Sequence, residues 1–359
     1  MLGDGGTRVS NLKVKPHSRS TVEPRAVLGV GDDASHDFSC KVEATNGAGI
    51  IVERPMYFNY HGQWTGGHDA VGANSVSNAF YFAEGTCRPG FDPYFCIQNP
   101  GSTEADVELT YMLTDGSART ARLLVAAHSR ATLNQKDTLG EGDDAAHDFS
   151  CKVEATNGAG IIVERPMYFN YHGQWTGGHV AIGATDTSST FYFAEGTCRP
   201  GFDPYLCIQN PGPSEAEVEI TYMLGDGSTK TATLKVAPNS RTTLSPKDTL
   251  GEGDDASHDF SCKVQTGNGT ADSPLMSYYP RGVASLALLD SAAGLVIDTP
   301  ENALYYDPSA YPSRVPVLNR ADWSQADPAR RVPVICFPGA SSSPVISNRG
   351  LLPATVKHR

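Results

Sequence analysis

Apolar and polar residues alternate with a period of two in short segments along residues 1–264. Such alternation is typical of β-strands with one buried face. Turn signals such as Asp115-Gly116 and Asn157-Gly158 separate the segments. About seven short strands in about 110 residues predict an all-β fold of antiparallel, immunoglobulin-like β-sandwiches. Between residues 74 and 184 the predicted strands are 80–84, 94–99, 107–113, 119–125, 129–133, 148–155 and 161–171.

The pattern is repeated in tandem at a constant interval. This repeat period is the distance from Cys40 to Cys151 and again from Cys151 to Cys262, and residues 36–68 recur unchanged as residues 147–179. Met1 falls opposite Met112, so we expect it to be an internal methionine of a longer chain. The period predicts four regions: the C-terminal part of a unit (1–73), a complete unit (74–184), the N-terminal part of a further unit (185–264), and a divergent tail or small separate domain (265–359).

Net charge and hydropathy exclude two classes of partner. The formal net charge is −12, which argues against a nucleic-acid backbone as the partner. The longest apolar run is far shorter than the ~18 residues that a membrane-spanning helix needs. We therefore expect no nucleic-acid binding and no membrane span.

Pairs of cysteines flank equivalent loops in two units. Cys87 and Cys96 enclose a short loop between two predicted strands, and Cys198 and Cys207 repeat this arrangement. We predict a disulfide across each loop, which would indicate an oxidising compartment. The alternative is a set of free thiols. For Cys40, which alternates with Phe38 and Val42, a buried and unpaired thiol is expected.

An acidic motif, Gly-Asp-Asp-x-x-His-Asp-Phe, occurs three times, at 31–38, 142–149 and 253–260. Clustered carboxylates suit Ca²⁺, and the glycine permits a tight loop. The alternative is a solvated acidic turn in which an aspartate caps the following element. The candidate calcium ligands are Asp32, Asp33, Asp37, Asp143, Asp144, Asp148, Asp254, Asp255 and Asp259. The associated candidate bases or ligands are His36, His147 and His258.

An aromatic motif follows the acidic one at 53–68 and again at 164–179. Aromatic faces beside amide donors around a Gly-rich loop suggest sugar binding. The alternative is a strand with its aromatic face in the core, followed by a loop whose tryptophan covers one end of the sandwich. The candidate binding residues are Tyr60, His61, Trp64, His68, Tyr171, His172, Trp175 and His179.

The recurring segments YFAEGT, LGEGDD and ERPMYF resemble those of a family of tandem β repeats in large secreted or surface proteins of actinobacteria and related bacteria. The resemblance covers residues 1–264 and not the tail. It implies an extracellular sandwich module, often attached to cell-wall or sugar-active partners. It implies no catalytic residues.

Two functions remain open. The first is a non-catalytic extracellular or cell-surface repeat that acts as a spacer, an adhesin or a carbohydrate-binding module, with a cell-wall or other polysaccharide as partner. The second is a secreted metal-dependent hydrolase of ester, lactone or glycosidic bonds, using Ca²⁺ rather than Zn²⁺. Region 1–73 lacks the strands that open a unit, so we also expect self-association through open sheet edges.

Overall fold

The computed structural model describes residues 1–62 and 64–267, together with the backbone of 295–298 and 303–306. The chain divides into two compact units, Met1–Asn268 and Gly269–Arg359. The first unit begins with the short helix α1 (Arg25–Leu28), which is followed by the antiparallel hairpin of β1 (Met56–Tyr60) and β2 (Trp64–His68).

Residues 79–182 form a complete sandwich. Its sheets have the strand orders β3-β8-β5-β6 and β10-β9-β4-β7, and every pairing is antiparallel. The predicted all-β antiparallel sandwich is therefore confirmed. Its elements are β3 (Ala79–Phe82), β4 (Phe91–Asn99), β5 (Ala105–Leu113), β6 (Ala118–Val125), β7 (Ser129–Asn134), α2 (Lys136–Leu139), a 3₁₀ turn (Ala145–His147), β8 (Phe149–Ala155), β9 (Ile162–Tyr171) and β10 (Trp175–Ile182).

The core lies between these two sheets and follows the alternation of the strands. Phe95 and Ile97 of β4, Tyr111 of β5 and Phe149 of β8 point inward and are almost fully buried. Burying each such side chain contributes about 1.5–3 kcal/mol. The core is continuous because successive inward positions on facing strands contact one another.

Residues 190–266 build only part of a second sandwich. One sheet is complete, in the order β11-β16-β13-β14, but within residues 1–267 the other sheet holds only β12 and β15. The positions one period after β9 and β10 are 273–282 and 286–293, which lie outside the described residues. The elements are β11 (Thr190–Phe193), β12 (Leu206–Asn210), β13 (Ala216–Leu224), β14 (Thr229–Val236), β15 (Ser240–Leu244), α3 (Lys247–Leu250), a 3₁₀ turn (Ala256–His258) and β16 (Phe260–Thr266).

Residues 1–55 lie largely exposed. Their isolated bridge from Leu2 to Phe38 is a remnant of the β5–β8 pairing, since its copy in the complete unit joins Leu113 to Phe149. Cys40, expected to be buried, is exposed. The expectation was wrong because residues 1–39 contain no counterpart of β3 and only the end of a counterpart of β5, so no strands cover this thiol.

In the second unit, β17 (Leu295–Asp298) pairs with β18 (Ala303–Tyr306). The sequence also favours a helix over 282–296; this segment lies outside the described residues except for 295 and 296, which belong to β17. Among the described residues, every helix is too short or too polar to cross a membrane.

Candidate functional site

The acidic motif forms a compact turn. Asp144 caps the 3₁₀ turn by accepting a 2.9 Å hydrogen bond from the backbone N–H of Ala146, and its Oδ1 lies 2.8 Å from Nδ1 of His147. These bonds, with that from His147 the strongest, lower the pKa of Asp144. The interpretation of the motif as a turn capped by an aspartate agrees with this geometry.

The glycine of the motif makes room for the histidine ring. A Cβ on Gly142 would lie 2.3 Å from Cε1 of His147, so no side chain fits there without moving the ring. The same contact occurs in the other two copies, between Gly31 and His36 and between Gly253 and His258. The spacing from glycine to histidine is therefore explained by packing within the turn.

The remaining two carboxylates of the complete unit's motif face an arginine. Arg88 donates from Nε and Nη2 to Asp148 at 3.0 and 2.8 Å, and from Nη1 to Asp143 at 3.2 Å. The hydrogen bonds to Asp148 are the main reason why the pKa of Arg88 is raised. Arg199 makes the same contacts to Asp254 and Asp259 one repeat later.

The position equivalent to Arg88 for the first copy of the motif lies one period earlier, outside residues 1–359. Asp33 still contacts His36 at 3.0 Å and caps the turn through Ser35. Asp37 instead lies 3.7 Å from Arg130 of the complete unit. Within the described residues, no group of three or more histidine, cysteine, aspartate or glutamate side chains is arranged to hold a metal ion. The calcium site remains a prediction.

The aromatic motif is a hairpin in both copies. In the complete unit, Tyr171 ends β9, Trp175 begins β10, and His172 occupies the turn with a φ of 52°. The Tyr171 and Trp175 rings are stacked with centroids 5.6 Å apart, and Tyr60 and Trp64 repeat the stack at 5.3 Å. The tip of each hairpin thus brings together a tyrosine, a histidine and a tryptophan.

The fourth predicted residue of each set lies four residues beyond the tryptophan on the same strand. His68 contacts the Phe58 ring, with centroids 5.9 Å apart, and Nε2 of His179 lies 3.2 Å from Arg165 and 3.4 Å from Glu84. The prediction of a Gly-rich loop is wrong, because Gly66-Gly67 lie inside β2 and Gly177-Gly178 lie inside β10.

Each hairpin tip contacts the next unit along the chain. The Tyr60 hydroxyl donates to Asp92 at 2.8 Å and lies 2.8 Å from the Tyr94 hydroxyl. One period later, the Tyr171 hydroxyl lies 3.0 Å from that of Tyr205, the counterpart of Tyr94. The sequence did not indicate this junction, because its partners belong to different units and lie far apart along the chain.

A second contact between units recurs with the same period. Nε2 of Gln98 lies 3.7 Å from Sδ of Met1, and Nε2 of Gln209 lies 3.6 Å from Sδ of Met112. Because both partners shift by one full period together, the first and second junctions share this part of their geometry.

Strand glycines let the first hairpin pack closely on the second. A Cβ on Gly66 would lie 3.3 Å from Cα of Gly177, and a Cβ on Gly178 would lie 2.9 Å from the Phe58 ring. Phe58 meets Tyr168 edge to face at 4.9 Å, which is a favoured aromatic geometry. Arg54 completes the contact by donating to Glu164 at 2.8 Å.

An ion pair joins strand β9 of the complete unit to the residues that follow β3. Arg165, almost fully buried, bonds to Glu84. Burial alone would raise the pKa of Glu84, but the charge of Arg165 and the contact with His179 outweigh it and lower that pKa to about 2. Glu84 is therefore ionised at neutral pH.

The predicted disulfides are absent, because Cys87, Cys96, Cys198 and Cys207 are all free thiols. Cys87 is buried in the core, whereas Cys96 lies between the inward residues Phe95 and Ile97 of β4 and faces outward. There its Sγ approaches Arg130 at 3.4 Å. The prediction failed because strand alternation places the two thiols on opposite sides of β4. Burial raises the pKa of the Cys87 thiol to about 12.

These features define an all-β tandem-repeat protein whose units contact one another through aromatic hairpins. No protein-family model and no curated protein matches the chain.

Three solved structures resemble parts of the chain. Thermotoga maritima 1070 has 16% sequence identity and a TM-score of 0.27, covering 32% of this chain and 97% of that one. The Anabaena sensory rhodopsin transducer has 23% identity and a TM-score of 0.22, covering 26% of this chain and 86% of that one. Red sea bream transglutaminase has 12% identity and a TM-score of 0.13, covering 48% of this chain and 26% of that one. Similarities of this size carry no argument about function.

Proposed function

We propose that the chain is a non-catalytic extracellular repeat module that acts as a spacer or adhesin at a cell surface. The observation that carries this proposal is the contact between hairpin tip and neighbouring unit, which occurs at Tyr60 and again, one repeat period later, at Tyr171. Repeat proteins in which each unit contacts its neighbours can extend by adding units without a new type of interface. The resemblance of the motifs to those of secreted tandem repeats supports the location.

The junction favours a fixed orientation between units over a flexible linker. It combines hydrogen-bonded hydroxyl groups, the ion pair between Arg54 and Glu164, and close packing across Gly66 and Gly177. Directional contacts of this kind restrict rotation, whereas a glycine- and serine-rich linker would not. A fixed orientation suits a module that must hold a partner at a distance.

The spacer proposal is tested by removing the junction hydroxyl groups while keeping the rings. In the double variant Tyr60→Phe, Tyr171→Phe, we expect each sandwich to stay folded and the particle to become more variable in its dimensions by small-angle X-ray scattering. Tyr57→Phe is the matched control, because Tyr57 is exposed and makes no junction contact among the described residues. Unchanged scattering for the double variant would contradict a role of the hairpin tips in fixing the units.

The hairpin tips also support the proposal of a polysaccharide partner. Tyr171 and Trp175 present stacked aromatic faces, and Trp175 is exposed. Apolar C–H faces of sugar rings pack on such surfaces. We expect binding on an array of cell-wall polysaccharides to be lost in the double variant Trp64→Ala, Trp175→Ala and retained in Tyr57→Ala. Equal binding by the parent and both variants would refute sugar recognition at the tips.

The calcium-dependent hydrolase remains the alternative proposal and predicts a different result. If Asp143, Asp144 and Asp148 held Ca²⁺, a chelator would lower the melting temperature and abolish turnover of an ester or lactone panel. The contacts of Arg88 with Asp143 and Asp148 favour the opposite outcome, in which neither chelator nor added Ca²⁺ changes melting. Chelator-sensitive turnover that is lost in His147→Ala would establish the alternative.

A further inference from the structure

A lysine at the start of α2 lies between two carboxylates in the complete unit. Nζ of Lys136 lies 2.5 Å from Oε2 of Glu141 and 3.7 Å from Oδ1 of Asp92, which belongs to β4. The side chains of Lys136 and Asp92 are only 22% and 12% exposed. Water therefore has little access to the contact between the ammonium group and this aspartate.

Two tyrosine hydroxyl groups bind the other oxygen of the same aspartate. Oδ2 of Asp92 accepts a hydrogen bond of 2.8 Å from Tyr60 and one of 3.0 Å from Tyr94. Burial is the main cause that raises the pKa of both tyrosines, so both hydroxyl groups stay protonated and able to donate. Two donors at one carboxylate oxygen stabilise negative charge on that oxygen, as an oxyanion hole does.

The same set of groups recurs one repeat period later. Nζ of Lys247 lies 2.9 Å from Oδ1 of Asp203 and 2.6 Å from Oε2 of Glu252. The counterparts of the two tyrosines are Tyr171 and Tyr205, whose hydroxyl groups lie 3.0 Å apart. The arrangement is therefore a property of the repeat and not of one unit.

The first copy of the repeat differs at both positions that flank this contact. Arg25 stands one period before Lys136, and Val30 stands one period before Glu141. A guanidinium group stays protonated at any pH that a protein tolerates, so it does not replace the amine of lysine as a nucleophile. The chain thus holds two copies with a lysine and a glutamate, and one copy with neither.

We propose that these groups form intramolecular isopeptide bonds, one between Lys136 and Asp92 and one between Lys247 and Asp203. In each, Nζ of the lysine attacks Cγ of the aspartate, the bond from Cγ to Oδ1 breaks, and Oδ1 leaves as water. The ammonium group carries three protons and the amide nitrogen keeps one, so the two that are released complete the water molecule. Ammonium and carboxylate thus give an amide and water without any external reactant.

The glutamate and the tyrosines act on different parts of this reaction. Glu141 accepts a proton from Nζ of the lysine, which frees the nitrogen lone pair, and passes protons on to the departing Oδ1. Tyr60 and Tyr94 stabilise the negative charge that develops on Oδ2 in the tetrahedral intermediate. Because Tyr60 belongs to the preceding hairpin, bond formation in the complete unit depends on contact with its neighbour.

The reaction is slow and takes place once at each site. The hydrogen bond from Lys247 to Glu252, followed by that to Asp203, raises the pKa of the lysine, so its lone pair is free in only a small fraction of molecules. In every such molecule the reacting groups are already held together, and this proximity gives a high effective concentration. We therefore expect bond formation to become faster as the pH rises.

Each bond would join the start of a short helix to a strand beside the junction between units. In the complete unit it would close a covalent loop from Asp92 in β4 to Lys136 in α2, which contains β5, β6 and β7. Cross-links stabilise a fold mainly by restricting the unfolded chain. The strand that receives the neighbouring hairpin would then be held in place covalently.

The test uses intact-mass spectrometry of the full chain, incubated at neutral and at alkaline pH until its mass is constant. We expect the mass calculated from the sequence to fall by one water molecule for each bond, and so by two in the parent. Lys136→Arg should lose one of these two changes, and the double variant Lys136→Arg, Lys247→Arg should lose both. The matched control is Lys152→Arg, since Lys152 pairs with Glu154 in β8. This control should keep both bonds.

Two variants keep both reactants and remove the groups that assist them. Glu141→Gln should form the bond between Lys136 and Asp92 at least ~10-fold more slowly, because the proton acceptor is lost. Tyr60→Phe should slow the same bond at least ~10-fold and leave the bond at Lys247 unchanged, because only the first site loses a donor. Circular dichroism melting shows whether each variant is folded.

Tandem mass spectrometry of proteolytic fragments locates the bonds. We expect the peptide that contains Lys136 to be linked to the one that contains Asp92, and likewise Lys247 to Asp203. A parent chain that keeps its calculated mass after alkaline incubation would overturn the proposal. So would a loss of water that the double lysine variant retains, or a bond that forms equally fast in folded Glu141→Gln. Equal rates in parent and Tyr60→Phe would refute the role of the neighbouring hairpin.

This proposal depends on the contacts of the lysines, and not on the proposed spacer function. A failure of sugar binding or of fixed unit orientation would leave it intact, because the bonds are measured by mass. Conversely, a parent chain of unchanged mass would leave the spacer function intact.

Discussion

The ion pair of Glu84 with Arg165 allows one prediction in which the chain supplies its own control. Glu84→Gln removes the negative charge and leaves the buried guanidinium of Arg165 without its partner. Glu195 is the counterpart of Glu84 one repeat later and has no ion-pair partner within residues 1–267. The same substitution at the two positions therefore differs mainly in whether an ion pair is lost.

The magnitude follows from the pKa of Glu84, which falls from an ordinary value of 4.5 to about 2. At about 1.4 kcal/mol per pKa unit, this corresponds to about 3 kcal/mol of stabilisation when the group is ionised. The Glu84 side chain is 35% exposed, and solvent screening reduces the effect. We expect Glu84→Gln to lower the free energy of unfolding by about 2 kcal/mol at pH 7, and Glu195→Gln to change it by less than about 0.5 kcal/mol.

The pH dependence has a definite sign. Because the folded-state pKa lies below the unfolded one, the stabilisation is fully present above about pH 4.5 and is lost as the pH falls towards about 2. Urea unfolding of the parent and both variants at pH 7 and pH 3 measures this. The gap between parent and Glu84→Gln should shrink by more than half at pH 3. An equal cost at the two glutamates, or a gap that does not change with pH, would refute the reasoning.

Three further predictions concern the turn, a buried amide and the thiols. Gly142→Ala should lower stability by about 1–3 kcal/mol in thermal melting, because its Cβ would clash with the histidine ring of the acidic motif, whereas Gly49→Ala, in open space, should not. Asn99→Ala should lower the free energy of unfolding by about 3 kcal/mol in the same measurement, because the buried amide donates to three backbone carbonyl groups. A decrease below about 1 kcal/mol would show that these bonds contribute little. In the native chain, Cys40 should react with a thiol reagent before Cys87 does, and equal rates would contradict their different burial.

The strands were the part of the fold most open to prediction. The seven predicted segments of the complete unit match observed strands to within three residues at both ends, because each alternates between a core face and an outer face. The sequence predicts a loop where the eighth strand, β10, lies, because this segment contains Gly177 and Gly178. Glycine normally weakens a strand, but here a Cβ on Gly177 would lie 3.2 Å from the Phe169 ring. That requirement comes from a neighbouring strand, and local sequence does not reveal it.

The candidate sites were predicted as sets of residues but not as sets of contacts. The sequence places Asp143, Asp144, His147 and Asp148 close together, and the structure keeps them so. The sequence does not show that Arg88 bonds to two of these aspartates, since 55 and 60 residues separate the partners. The disulfide prediction failed for a related reason. Separation along the chain does not tell which side of a strand each thiol faces, and the buried state of Cys87 excludes pairing with Cys96.

The first hairpin separates two roles that are combined in the second. The β9–β10 hairpin both completes its own sandwich and reaches the next unit, so its packing alone does not show whether the second contact depends on the first. Among the described residues the β1–β2 hairpin forms a sheet of two strands only, yet it keeps its strand register and places Tyr60 on Asp92. The contact between units therefore depends on the hairpin and on the face of the next unit that it touches, and does not require the hairpin to pair with a further strand. The identical residues 36–68 and 147–179 therefore make this contact both where the hairpin pairs with a further described strand and where it does not.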